Sequence, residues 1–189
     1  GTVFVIFMLV SDRAVTVHKT AASVDPLSGM LNRRGFSEAC ARVIESEAAA
    51  GRPVTVMIFD IDHFKSINDR FGHRAGDAVL RRVGETLARE VRLGDVGGRF
   101  GGEEFIILMP DTAVGAAHAV AERLRLAIAA LTEELAPGMP ISVSIGVAEK
   151  SAADATWEQL VAAADKVLYA AKQAGRNRVV VADAFRKAA

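Results

Sequence analysis

The order of structural signals along the chain predicts an α/β (α+β) domain. It would have a central mixed five-stranded sheet flanked by helices, on a ferredoxin-like plan. Three observations carry this. The signals read strand, helix, strand, strand, helix, strand, then helix and strand, and a hairpin between two helical crossovers is the split βαβ arrangement. The run Val54–Ile61 is almost continuously apolar, as a strand buried on both faces must be. The stretch from Arg99 to Leu108 reads as a hairpin, with a glycine pair between two apolar runs.

Taken in order, residues 1–10 are apolar. They fall short of the ~20 residues a membrane helix needs, and no positive segment precedes them, as a signal peptide would require. Two readings are open: the last turns of a membrane helix in a longer parent, which is favoured, or an amphipathic linker. Residues 1–24 are therefore expected to be a linker or membrane-proximal segment, 25–182 the domain and 183–189 a tail.

Asp25-Pro26-Leu27-Ser28-Gly29 is a turn. Residues 33–50 read as a helix closed by Gly51 and Pro53. The central strand then ends in Asp60-Ile61-Asp62. Phe64–Asp69 and Phe71–His73 form a compact, polar-studded segment, and Gly76-Asp77 opens a helix to about Val91. Its apolar residues Val79, Leu80, Val83, Leu87 and Val91 recur at helical spacing.

The hairpin strands are expected over Val96–Phe100 and Glu103–Met109, with Gly101 and Gly102 supplying the positive φ of a tight turn. A long helix follows, N-capped by Asp111 or Thr112 and running to about Leu135. Pro137–Pro140 breaks it. Ile141–Val147 alternates as a half-buried strand does. Thr156 and Gln159 make a capping box for a helix to about Ala174, with Gly175 just past its end. Val179–Val181 closes the sheet.

The totals narrow the function. At 189 residues the chain can build one full core. Its formal net charge is zero, which argues against sequence-independent binding of nucleic acid but leaves room for a small phosphate-bearing ligand. A single cysteine, Cys40, excludes an internal disulfide and a cysteine-based zinc site. A reducing, cytoplasmic setting fits.

The predicted plan puts Asp60, Asp62, Glu103 and Glu104 near one rim. Carboxylates without His or Cys select a hard cation, Mg²⁺ or Mn²⁺, and Mg²⁺ is usually shared with substrate phosphates. The residues alone leave a second reading open, a solvated acidic rim. Lys65 sits in a turn whose amides can face phosphates. Lys172 and Arg176 lie at the end of the last helix, where favourable placement on the helix dipole is the commoner use of such residues. Asn68 and Asp77 can read a purine edge, although a turn residue and a first-turn helix residue account for each taken singly.

At these residues the chain resembles the GGDEF domain family, the diguanylate cyclases. Asp25–Phe36 is similar to the family's opening segment, with Ser28 and Met30 where Thr and Leu are usual. Asp60–Asp69 and Gly72–Asp77 match its metal and nucleotide segment. Arg99–Phe105 carries the signature in its accepted GGEEF form, and Lys172–Asn177 matches the closing segment.

The resemblance implies a nucleotide-cyclase palm-type core and the condensation of two GTP to cyclic di-GMP and two pyrophosphates, across a homodimer of facing half-sites. It implies that Asp60, the Ile61 carbonyl and Glu103 hold Mg²⁺, with Glu104 assisting. Glu103 is also the group that deprotonates the ribose 3′-hydroxyl. Asn68 and Asp77 hold guanine, with Phe64 and His73 in the substrate-binding set. Lys65, Lys172 and Arg176 neutralise the phosphates, and Lys65 joins Glu103 and Glu104 in the catalytic set.

Arg92-Leu93-Gly94-Asp95, with five residues between it and Gly101, resembles the family's inhibitory product site. An Arg can fork guanine O6/N7 while an Asp accepts from its N–H groups; a helix-end Arg and a turn Asp is the plainer use. The implied setting is a cytoplasmic signalling domain of a bacterial, inner-membrane parent. The alternative is an inactive GGDEF module that senses GTP or cyclic di-GMP. Degenerate members usually lose the metal-binding acid or a glycine of the signature, and this chain keeps both. A module for dimerisation alone leaves Lys65, Asn68, Asp77, Lys172 and Arg176 unexplained.

Overall fold

The computed structural model describes residues 23–150 and 156–182. The expectations for residues 1–10 and for the tail 183–189 lie outside the described residues. Among the described residues no helix is long and apolar enough to cross a membrane.

Helix α1 (Arg33–Ala50) is capped at one end by the Asn32 side chain, which accepts from the Gly35 amide at 3.0 Å, and at the other by Gly51 at φ 67°. Strand β1 (Val54–Ile61) follows. The polar-studded segment beyond it is helical: α2 (Phe64–Phe71) is joined through Gly72 to α3 (His73–Glu90). Thus α3 starts at His73 rather than at Gly76-Asp77. Gly72, at φ 86° and ψ 164°, occupies a region that is essentially glycine-only, and it turns the chain without a loop.

The hairpin is β2 (Val96–Arg99) and β3 (Glu104–Pro110). The expected long helix is two: α4 (Val114–Ala129) and the single turn α5 (Thr132–Leu135). Neither Asp111 nor Thr112 caps α4. Asp111 has φ 46°, Ala113 holds the cap position, and the Val114 amide donates instead to the Glu149 carboxylate at 2.7 Å. A distant side chain supplies the cap that a local one was expected to make.

Strand β4 (Val143–Lys150), helix α6 (Trp157–Gln173) and strand β5 (Val179–Val181) complete the domain. The capping box at Thr156 is formed. The sheet order is β2-β3-β1-β4-β5; β1 is antiparallel to both neighbours, and β5 runs parallel to β4. This is the split βαβ arrangement with one strand added.

Both faces of the sheet are covered. Met57, Phe59 and Ile61 pack with α2, α3 and α4, while Val54, Val56 and Ile58 pack with α1 and α6. Alternate residues of β1 therefore feed two cores, so the run is apolar throughout. Phe59 and Phe105 stack across β1 and β3 with centroids 5.5 Å apart; burying each ring contributes about 1.5–3 kcal/mol.

Strand β4 is buried on both faces over its first six residues, not half-buried. The residues that read as solvent-facing are contact residues. Ser144 is buried, and a Cβ on Gly146 would come within 3.0 Å of Ala164 O and Leu168 N, so α6 rests directly on bare backbone. Any side chain at 146 lifts that helix.

Candidate active site

The site grows from the end of β1. Asp60 pairs in register with Glu104, and the Ile61 amide donates to the Glu103 carbonyl at 3.2 Å. The sheet thus sets Glu103 and Glu104 beside Asp60 and Ile61. Helix α6 adds a cation: Lys172 Nζ lies 3.1 Å from Asp60 Oδ2.

Three carboxyls of this corner are held above their ordinary range. Burial raises Asp60; the Lys172 charge and hydrogen bond oppose this, Asp62 adds to it, and Arg176 opposes it. Burial and then the Asp60 charge raise Glu103, against Lys172. Burial, Asp165 and Asp60 raise Glu104, against Lys172 and Arg33. Carboxyls that disfavour one another's charge fit a bound cation, which would relieve the repulsion. Among the described residues no three His, Cys, Asp or Glu side chains are arranged to hold a metal by themselves. Asp60, Glu103 and the Ile61 carbonyl would fill half of an octahedral sphere, and Mg²⁺ ordinarily leaves the rest to water and substrate phosphates.

Asp62 adds its charge to Asp60, but its own carboxylate is taken up by other partners. It is buried and accepts from Ser142 Oγ and Ser144 Oγ, each at 2.7 Å, and from the Asn177 amide at 3.1 Å. Asp62 lies one residue past β1, on the same side of the sheet as Asp60, and the two are told apart by their partners and not by alternation. Asp62 anchors the turn after α6. In that turn Gly175, Arg176 and Asn177 all have positive φ, and Arg125 donates to Asn177 Oδ1 at 2.9 Å. Arg176 therefore lies beyond the helix rather than in its last turn, and the turn brings its charge to bear on Asp60.

The hairpin turn also differs from expectation. Four residues, Phe100–Glu103, separate the strands, and Gly101 and Gly102 are absent from the positive-φ residues. The Phe100 amide closes the turn on Glu104 O at 2.8 Å. Its shape is held by Arg99, which donates to the Gly102 carbonyl at 2.6 Å and to both Asp25 oxygens at 3.0 and 3.2 Å. Among the described residues, a Cβ on Gly102 would meet nothing within 4 Å, and one on Gly101 only Glu104 Cβ at 3.6 Å. Nothing among them is too close for a side chain at either position.

Asp25 and Arg99 carry this support without having been singled out from the sequence. Their contact spans two distant segments, and only the motif match flagged them. Leu31 bridges to β2, so the opening segment is stitched to the signature hairpin. Arg33 stacks over Phe100 at 5.3 Å and was likewise missed.

The remaining residues lie on α2 and α3. Lys65 is exposed in the first turn of α2, after His63 at φ 53°. His73 and Asp77 are exposed one turn apart on α3. Phe64 is buried in the core; as the first residue of a helix packed on α3, its side chain turns inward, toward Gly76. Arg92 and Asp95 stand at the other end of the hairpin, six residue steps or about 20 Å along β3 from Glu104. They are paired to each other: Asp95 accepts from the Arg92 amide at 3.0 Å and from its Nε at 3.2 Å, and the guanidinium also reaches Pro110 O and Thr112 Oγ1. The Asp95 side chain is 1% exposed.

Comparison with known proteins gives the family and the fold. The family model described as "Diguanylate cyclase, GGDEF domain" matches residues 22–178. The response regulator PleD of Caulobacter vibrioides is 41% identical over 162 residues, taking in 84% of this chain and 36% of PleD. The chain thus spans just over a third of that relative's length. A structure of the coiled coil and GGDEF domain of DgcB from Caulobacter crescentus, in complex with c-di-GMP, superposes with a TM-score of 0.83 at 29% identity, covering 89% of this chain and 90% of that one. The active GGEEF domain of a diguanylate cyclase from Vibrio cholerae gives 0.74 at 32% identity, covering 80% and 97%.

Proposed function

The chain belongs to the GGDEF domain family, and we propose that it is a Mg²⁺-dependent diguanylate cyclase that joins two GTP into cyclic di-GMP with release of two pyrophosphates. The observation that carries this reading is the corner in which Glu103 is hydrogen-bonded through its carbonyl to Ile61, beside Asp60 and Lys172.

Each domain holds one GTP. Asn68 and Asp77 bind the base, and Lys65, Lys172 and Arg176 hold the phosphates. Bound there with Asp60, the Ile61 carbonyl and Glu103, Mg²⁺ supplies charge neutralisation at the phosphates. The 3′-hydroxyl of one nucleotide attacks the α-phosphorus of the other. A P–O bond forms to the ribose, the bond to pyrophosphate breaks, and Glu103 takes the hydroxyl proton. The reaction occurs twice, once in each direction, so a second copy must face the first. Most of the acceleration comes from positioning and charge, as in phosphoryl transfer generally. Because GTP is a cytoplasmic metabolite, the domain works in the cytoplasm.

Product feedback is the second part of the reading. Arg92 and Asp95 take up guanine of cyclic di-GMP once Arg92 exchanges its internal partners for the base. The parent is membrane-anchored through the segment that precedes this domain.

The test is chromatography of purified dimer, freed of nucleotide, with GTP and Mg²⁺. Cyclic di-GMP and pyrophosphate in a 1:2 ratio are expected. Tight GTP binding with no product supports the sensor module instead.

A further inference from the structure

Gly76 is buried in the first turn of α3, where that helix meets α2. A Cβ built there would lie within 3.0 Å of Asn68 Oδ1 and Asn68 Cγ, and 3.1 Å from Phe64 Cζ. Asn68 Oδ1 is itself buried and has no hydrogen-bond partner among the described residues. The oxygen of the amide thus fills the notch that the missing side chain leaves.

From this geometry we infer that Gly76 is a positioning residue: by its lack of a side chain it seats Asn68 with the amide oxygen inward and the amide nitrogen as the end that meets the ligand. The inference rests on the reading of Asn68 as a base-binding side chain and deepens it. The amide oxygen suits the notch, since glycine Cα–H is a weak donor, whereas an NH₂ there would leave two orphaned donors. What Asn68 then presents is a donor. Asp77, the next residue along and exposed, presents an acceptor when ionised. The matching ligand edge carries an acceptor beside N–H donors, as a purine does. Gly72 sets the angle between the two helices, and Gly76 sets how closely they approach.

The experiment compares Gly76→Ala, Asn68→Ala and the double variant, on GTP turnover and on the Asn68 side-chain amide signals in ¹H–¹⁵N spectra. Gly76→Ala is expected to raise the KM for GTP about tenfold, the equivalent of one hydrogen bond, with kcat changed much less, and to move the Asn68 amide signals. The double variant should be no worse than Asn68→Ala alone, because the clash disappears with the longer side chain. Additive losses, or Asn68 signals unmoved by Gly76→Ala, overturn the inference. If Gly76→Ala does not fold, Asn68→Ser/Gly76→Ala should, and failure of that pair to fold also overturns it. If the wild type makes no cyclic di-GMP but the Asn68 signals still move, the cyclase reading has failed and the positioning role stands.

Discussion

Lys172 Nζ lies 3.1 Å from Asp60 Oδ2, tying the last turn of α6 to the end of the central strand. The ammonium partly neutralises a mostly buried carboxylate that would otherwise face Glu103 and Glu104 with no counter-charge from α6. Lys172→Met should therefore act in two directions. Mg²⁺ binding in the absence of nucleotide should tighten, because a competing cation is gone. Turnover of GTP should fall by about 100-fold, the loss of a charge-assisted contact to phosphate. Calorimetry and product chromatography check the two effects, and unchanged turnover would remove Lys172 from the site.

Glu103→Gln should abolish turnover and at the same time raise the Tm of the metal-free protein slightly. The carboxyls of Asp60, Glu103 and Glu104 are raised in the folded state, so ionising them opposes folding. Their stabilising protonated state is fully present below the ordinary carboxylate range and is lost as pH rises through the raised values. The wild type should thus gain more thermal stability from Mg²⁺ at pH 8 than at pH 5, and Glu103→Gln should show less of that pH dependence. Melting curves with and without Mg²⁺ test this.

Gly102→Ala separates fold from function. Among the described residues nothing lies within 4 Å of the added methyl, so denaturant stability should change by no more than about 0.5 kcal/mol. Activity should fall at least tenfold if nucleotide approaches that backbone. Full activity would show that the open space at the turn is not used.

Arg92→Ala should abolish tight cyclic di-GMP binding by calorimetry while leaving the uninhibited rate near that of the wild type. Asp95→Ala should in addition cost about 1–2 kcal/mol of stability, because it removes the partner of the Arg92 amide and guanidinium. Unchanged product affinity in Arg92→Ala would discard the site.

Asp25→Ala leaves the Arg99 guanidinium, 14% exposed, without its carboxylate. A loss of about 3 kcal/mol is expected, together with a drop in activity as the Gly102 carbonyl loses its fixed donor. Burial works to raise the Asp25 carboxyl, but hydrogen bonds from Ser28 and Arg99 outweigh it and hold the group below its usual value. This contribution is present at neutral pH and is lost as pH falls through that lowered value. Urea unfolding of the variant at pH 7 and pH 3 measures it, and the gap to wild type should narrow at the lower pH.

By itself the sequence determined the elements whose signals are local. The apolar run of β1, the capping box at Thr156, the glycine end of α1 and the order of strands and helices are visible within a few residues of each other, because periodicity and caps act over one or two turns. The same locality let the GGEEF segment, Lys65, Asn68 and Asp77 stand out as types in a pattern. Only the tertiary structure decided what each polar residue does there. Asp60 and Asp62 look alike in sequence, yet one faces Lys172 and the other is spent on Ser142, Ser144 and Asn177. Glu149 caps a helix that Asp111 or Thr112 was expected to cap. Ser144 and Gly146 pass for a solvent face but touch a buried carboxylate and bare helix backbone. The glycine pair suggested a positive-φ turn, but the turn's shape comes from Arg99, held by Asp25. A side chain's partner is set by which strands and helices meet, and contacts between distant segments leave no periodicity to read.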